Sequence, residues 1–456
     1  MASPVSSGSP KAPGAMTVVV ASLMLFSMFF GAGNLIFPPM VGVSSGTNFW
    51  PAILGFLTAG VLLPVLAVVA VAITGRSVRD ITNHGGWIFG IVFSAMAYLA
   101  IGAFYALPRT GAVSMELAIT PMTGWEGTAA NGLFNTVFFL IALALSWKAN
   151  SIMDTLGRFL TPALVTLLVV LIALATFANP RNPGTPTEDY ASGAFATGLF
   201  EGYNTMDAIA GLAFSIVIVS ALRGKGFKAG APVIKATVVS ASIAGVLLAA
   251  IYLGLGYIAQ TTPNGQSYES GSQLLADAAN STMGTAGQVV FSAIVLLACM
   301  TTAVGLITST SEFFSDLVPR TTYHLWAIIF TALSILFAFQ GLETVLSIAV
   351  PFIVFLYPPA ITLIALTMVQ PLVKKQVIFY WGYRLALWMS VLWSALSQLG
   401  VFPDMLALSP GQAAQLGWIV PTVLAFIVGL LLDFATRRGR AKDAAVLQGE
   451  PVTVPE

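Results

Sequence analysis

Twelve runs of mostly apolar residues succeed one another along this chain. About twenty such residues in a helix match the ~30 Å hydrocarbon core of a bilayer. Inside lipid each backbone N–H and C=O must be paired within its own segment, which leaves only helices or closed barrels. Runs this long read as helices. They fall at 16–43, 49–74, 87–107, 132–147, 157–178, 195–222, 231–259, 285–315, 323–341, 344–370, 379–399 and 416–435. Only 8% of the 456 residues are charged and 57% are hydrophobic, whereas a soluble domain carries about 25% charged residues. The expected fold is an all-α polytopic membrane protein of twelve transmembrane helices. A tail at 1–15, rich in Ser, Pro and Gly and expected to be disordered, and another at 436–456 flank it.

Charge placement tests that count. With the N-terminus in the cytoplasm and loops assigned alternately, 17 of the 19 Lys and Arg residues fall on the cytoplasmic side, leaving Arg109 and Arg181 outside. One missed span would destroy this asymmetry, the mark of the positive-inside rule. The reading is a multi-pass protein of the cell (inner) membrane, its partner the lipid bilayer, with both termini cytoplasmic. A net charge of +1 gives no footprint for nucleic acid, and nothing calls for an obligate protein partner or an organic cofactor. The single Cys299 and the two histidines, His84 and His324, supply neither a disulfide nor a metal cluster. No Ser/His/Asp grouping is present either, so an enzyme is not expected.

The first run contains FFGAGNLIFPP at 29–39. Glycine weakens a helix interior by about 1 kcal/mol and proline by about 3, so Gly31, Gly33, Asn34, Pro38 and Pro39 mark a span broken near mid-depth. The open ends of such a break are a ready site: N–H groups for a carboxylate, carbonyls for a cation. The sixth run contains LFEGYNTMDAIAGLAFS at 199–215, where Glu201 and Asp207 are read as the only acidic residues well inside a span. An intramembrane carboxylate costs about 2.5–3.5 kcal/mol and points to function. Asn204 or Asp207 can equally cap a second half-helix. Windows 29–34 and 199–204 resemble each other faintly. Spans one and six are five apart, and an odd repeat inverts the second copy. In the eighth run, Ala298, Thr301 and Thr302 share one helix face, suited to a hard monovalent cation if carbonyls of a broken span complete the shell. Threonine also bonds its own helix in such places.

Four stretches together resemble the bacterial branched-chain amino acid:cation symporters, within the amino acid/polyamine/organocation superfamily. They are FSMFFGAGNLIFPP (26–39), ALPRTGAVSMEL (106–117), LFEGYNTMDAIAGLAF (199–214) and LACMTTAVGLITSTSEFF (297–314). The third-span motif departs at Ala103 and Gly111, where the family tends to Pro and Ala. The resemblance implies a LeuT-like fold, with inverted five-helix repeats at 16–178 and 195–370, helices 1 and 6 broken, and two further helices at 379–435. It implies import of leucine, isoleucine and valine with Na⁺ by alternating access. Ala298, Thr301 and Thr302 are then expected to face carbonyls of Ser27 and Phe30 around Na⁺. Gly31, Ala32, Gly33 and Asn34 are expected to take the substrate carboxylate. Glu201, Gly202, Tyr203, Asn204, Thr205 and Asp207 are expected at the ammonium, and Tyr98, Phe104, Met206 and Phe214 at the side chain. Arg109, after Pro108 at the outer end of the third span, is expected to extend to the headgroups; the alternative is that it binds the carboxylate. Two other readings are a proton-coupled symporter titrating Glu201 or Asp207 and an ion channel.

Overall fold

The computed structural model describes residues 14–436 apart from 75–77, 149–151, 179–182, 263, 269, 341, 374–378 and 413–414. The tails expected at 1–15 and 436–456 lie almost entirely outside the described residues. So do Lys11, Arg76, Arg181, Lys374, Lys375 and the basic residues at 437–442.

The apolar runs become helices. The chain enters as α1 (Ala15–Phe29) and α2 (Ala32–Ser45), then α3 (49–74), α4 (Trp87–Thr123), α5 (Thr128–Ser146) and α6 (Ile152–Phe177). It continues as α7 (Glu188–Asn204), α8 (Asp207–Gly224), α9 (Ala231–Gln260), the short α10 (Gly271–Met283) and α11 (Thr285–Leu317). It ends in α12 (Tyr323–Ala338), α13 (Leu342–Val373), α14 (Trp381–Leu399) and α15 (Ile419–Thr436). Among the described residues nine helices are long and apolar enough to cross a membrane, and α1 and α12 are shorter apolar helices. The breaks explain part of the difference from twelve: α1, at 15 residues, is half a span.

Burial orders these helices. Every residue of α1 from Met24 to Phe29 is buried, as expected of a helix apolar all round and packed in the interior. By contrast α15 buries only Thr422, Gly429 and Asp433 and sits at the periphery. Where α3 crosses α7 the contact is backbone against backbone. A Cβ on Gly198 would run into the Ala52 carbonyl, and one on Gly55 into the Phe195 carbonyl. Gly202 packs one turn further on, where a Cβ would meet the Ala59 Cβ and the Phe56 carbonyl at 2.7 Å. Small residues four apart on both helices permit this approach. Gly198→Ala should therefore lower the thermal midpoint of the solubilised protein, since overpacking costs about 1–3 kcal/mol. Gly224→Ala, with nothing within 4 Å of the new Cβ, should leave it unchanged.

One expectation needs correction. Helix α4 does not end near Pro108. The backbone departs from helix at Gly102 (φ −83°, ψ −112°) and Tyr105 (φ −145°, ψ −72°), and a new segment starts at Ala106. Pro108 thus lies in a first turn, where its missing N–H is not needed, and the helix runs on to Thr123. Besides Glu201 and Asp207, further acidic residues lie toward the ends of membrane-length helices. Asp433 of α15 is buried and caps α14, accepting the N–H groups of Tyr380, Trp381 and Gly382 at 3.1, 2.8 and 3.0 Å. Glu116 and Glu312 also lie within α4 and α11. A carboxylate at a helix N-terminus satisfies otherwise orphaned donors and meets the positive end of the helix dipole.

Candidate functional site

Between α1 and α2 the backbone opens at Phe30 (φ −74°, ψ 86°) and Gly31 (φ −114°, ψ −160°). The Gly31 N–H donates to Asn34 Oδ1 at 3.1 Å, while the Asn34 N–H returns to the Gly31 carbonyl at 3.2 Å. Asn34 therefore closes the start of α2. Its amide Nδ2 points the other way, donating to Asp207 Oδ2 at 2.7 Å and to the Tyr252 hydroxyl. The Tyr252 hydroxyl reaches the same Asp207 oxygen at 3.3 Å.

Asp207 is the first residue of α8. The second break falls just before it, at Thr205 and Met206, and Met206 takes a left-handed conformation (φ 65°). The Thr205 hydroxyl donates to the Gly202 carbonyl at 2.9 Å and can accept the Asp207 N–H at 3.4 Å. A left-handed non-glycine residue is uncommon and costs about 1–3 kcal/mol. Asp207 does not cap its own helix; its carboxylate ties the two breaks together through Asn34, with Tyr252 of α9 as the third member.

One cavity joins both breaks. It is lined by Gly31 to Asn34 from the first and by Thr205, Met206 and Asp207 from the second. Phe29, Ile101, Ala210, Phe214 and Leu306 form apolar wall, and α4 contributes Tyr105, Arg109 and Thr110. Arg109 is only 6% exposed. Its Nη1 donates to the Tyr105 hydroxyl, and its Cζ lies 5.0 Å from the centre of that ring. The expected reach to the headgroups is overturned, because the restart of α4 at Ala106 turns Arg109 inward.

Beside the cavity, α11 meets the open end of α1. The Thr301 hydroxyl lies 3.0 Å from the Ser27 and the Ala298 carbonyls. The Thr302 hydroxyl lies 3.3 Å from the Ser27 carbonyl and 3.2 Å from that of Met28. Three carbonyls and two hydroxyls thus gather where α1 has lost its helical donors, an all-oxygen set of the type hard cations favour. Gly31 permits this, since a Cβ there would stand 2.8 Å from Thr302 Oγ1.

The chain matches the family model described as "Branched-chain amino acid transport protein" over residues 15–436. This protein belongs to that family. It is 51% identical over 418 residues to the branched-chain amino acid permease BrnQ of Corynebacterium glutamicum, covering 92% of this chain and 95% of that one. It is 36% identical over 420 residues to the branched-chain amino acid transport system 2 carrier protein of Pseudomonas aeruginosa, covering 91% and 96%. Relatives named as permeases and carriers make it a transporter, not an enzyme. Among solved structures, Mhp1, a nucleobase-cation-symport-1 family transporter, superposes with a TM-score of 0.59 at 15% identity, covering 93% of both chains. MhsT in complex with L-phenylalanine gives 0.54 at 17% identity, covering 93% of this chain and 99% of that one. The fold of this family member is thus LeuT-like.

Within the family member, the expected site residues separate into groups. Gly31, Ala32, Gly33, Asn34, Thr205, Met206, Asp207 and Phe214 line the one cavity. Ser27, Ala298, Thr301 and Thr302 come together beside it, with the Met28 carbonyl in the place expected of Phe30. The Phe30 ring stacks on Phe26, 5.5 Å between centroids. Glu201, Gly202, Tyr203 and Asn204 do not line the cavity. Glu201 accepts from Asn204 Nδ2 at 3.3 Å, Gly202 is a packing glycine against α3, and Tyr203 and Asn204 line a separate cavity with Tyr357, Trp393 and Trp418. Tyr98 stacks on Phe313 at 3.9 Å. Phe104, 42% exposed, packs edge-on against Phe337. Tyr105 and Tyr252 are the residues that sequence reasoning left out of the site, and Arg109 was placed there only as the alternative to headgroup contact. The only signal for them was an arginine two residues past the expected end of a span.

Proposed function

We propose that this transporter imports leucine, isoleucine and valine by symport with Na⁺ through alternating access. Twelve spans, both termini cytoplasmic, would form two inverted five-helix repeats at 16–178 and 195–370 with helices 379–435 appended. The carrying observation is the Asn34–Asp207 bond, which unites two broken helices around one cavity. Interrupted helices at a repeat interface are where transporters of this architecture hold substrate and coupling ion.

Each part of a branched-chain amino acid has a counterpart. At the start of α2 the capping bonds take the Gly31 and Asn34 N–H groups and leave those of Ala32 and Gly33 for the carboxylate. Asp207 and the carbonyls before the second break suit the ammonium. Phe29, Ile101, Ala210, Phe214 and Leu306 offer apolar contact. One methylene is worth only about 1–3 kcal/mol, so all three substrates should be accepted with modest preference. Na⁺, the co-substrate, would bridge α1 to α11 through the Ser27, Met28 and Ala298 carbonyls and the Thr301 and Thr302 hydroxyls. Because it contacts two helices that move relative to each other, its binding favours one arrangement and its loss inside releases the other.

Uptake of labelled isoleucine into liposomes, with sodium, lithium and proton gradients varied separately, tests this reading. Accumulation against the substrate gradient, saturable and driven by inward sodium, is the expected result. Uptake that ignores sodium and follows a pH gradient would replace Na⁺ by H⁺, with Asp207 as the cavity's own titrating group. Unsaturable downhill flux would instead indicate a channel.

A further inference from the structure

We propose that Arg109 is the anchor for the substrate's α-carboxylate, set opposite Asp207 so that the cavity matches a zwitterion charge for charge. The proposal rests on the reading that this cavity takes an amino acid.

Arg109 is buried, and among the described residues no carboxylate lies within 4.0 Å of it. A buried charge left without a partner is costly, and truncating one member of such a pair typically costs 2–5 kcal/mol or more. Asp207 lines the same cavity, but its Oδ2 is engaged by Asn34 and Tyr252. The guanidinium is held in place on two sides. Tyr105 accepts from Nη1, and the other terminal nitrogen lies against Gly33, where a Cβ would collide with Nη2. Only glycine leaves that space.

Gly33 is also in the first turn of α2. Arg109 therefore places its donor fork beside the same helix N-terminus, where the capping bonds of Asn34 leave the Ala32 and Gly33 N–H groups without a partner. Guanidinium and helix start are both donor-only and positive, so the ligand atom between them must be an anionic acceptor. A planar fork pairs with a carboxylate through two parallel bonds. Asp207 supplies the opposite sign for the ammonium, and the apolar wall lines the same cavity. The cavity thus selects a carboxylate and an ammonium on one small apolar ligand.

The test compares leucine with leucinol, which keeps the side chain and ammonium but replaces the carboxylate by a hydroxymethyl group. Both affinities are measured on the purified full-length protein by competition binding and by thermal shift. Wild type should bind leucine at least about 100-fold more tightly than leucinol, about 2.8 kcal/mol at 1.4 kcal/mol per decade. In Arg109→Gln leucine should weaken by about that factor while leucinol moves less than about threefold, so the gap closes. Gly33→Ala should narrow the gap by displacing Nη2, and Arg109→Lys should keep part of it; both report the same ratio if Arg109→Gln does not fold. If leucine affinity is unchanged in Arg109→Gln, or both ligands weaken together with the gap preserved, the proposal is overturned while the amino acid reading stands. If wild type fails to bind leucine, that reading falls and the anchor with it.

Discussion

Replacing Asp207 by alanine should reduce leucine uptake by two to three orders of magnitude while the protein still reaches the membrane. The carboxylate accepts from Asn34 and Tyr252 and is the negative charge in a cavity that also holds Arg109. Its removal leaves the Asn34 amide without its acceptor across the breaks and takes from the cavity the charge that faces the substrate's ammonium. Breaking a buried charged network costs about 3–5 kcal/mol, and each 1.4 kcal/mol is a factor of ten. Asp207→Asn separates two contributions. It keeps size and a carbonyl acceptor for Asn34 but removes the charge, so a purely structural link would retain most uptake and an electrostatic role would not. Tyr252→Phe removes one hydroxyl and should cost about ten- to a hundredfold, in line with about 1.5–3 kcal/mol for a hydrogen bond to a charged group. The readout is the initial rate of uptake normalised to protein in the membrane, alongside the thermal midpoint. Wild-type rates in Asp207→Ala would remove Asp207 from the mechanism.

The two breaks were legible in the sequence to different degrees. At the first, Gly31, Gly33 and Asn34 marked the place because each acts locally: a weakened helix, a flat surface, a short side chain reaching back three residues. Pro38 and Pro39 misled in part, since both lie inside α2; a proline removes one rung but the helix continues where its neighbours hold it. At the second, the carboxylates located the region but not the break. The residue that turns is Met206, whose side chain carries no signal for positive φ. The faint match of windows 29–34 and 199–204 sets Asn34 against Asn204, yet Asn34 lies within the helix after its break and Asn204 ends the helix before its own. Arg109 was misplaced for a specific reason. Proline was read as the end of a span, but it is equally at home in a first turn, and only the backbone departures at Gly102 and Tyr105 decide between the two. The cap formed by Asp433 was not legible because its partners, three N–H groups at the start of α14, are some fifty residues away in sequence and follow no periodicity.

The paired replacement Thr301→Val and Thr302→Val should raise the half-saturating sodium concentration about a hundredfold or more. Leucine binding measured without sodium should stay close to wild type. Valine keeps the branched shape of threonine and deletes the hydroxyl, so packing against α1 is nearly preserved while two of the five gathered oxygens vanish. A hydrogen bond or ligand contact to a charged group is worth about 1.5–3 kcal/mol, or about ten- to a hundredfold for each single change. The remaining Ser27, Met28 and Ala298 carbonyls cannot close a shell alone. Geometry adds a check that leaves the threonines intact. Gly31→Ala places a methyl 2.8 Å from Thr302 Oγ1 and should also weaken sodium, by pushing that hydroxyl off the α1 carbonyls. Serine at 301 restores an oxygen without the methyl and should recover sodium response where valine does not. A structural role alone would lower stability in every variant without separating serine from valine. If Thr302→Val leaves sodium dependence intact, the ion is held elsewhere and the bridge between α1 and α11 is only a packing contact.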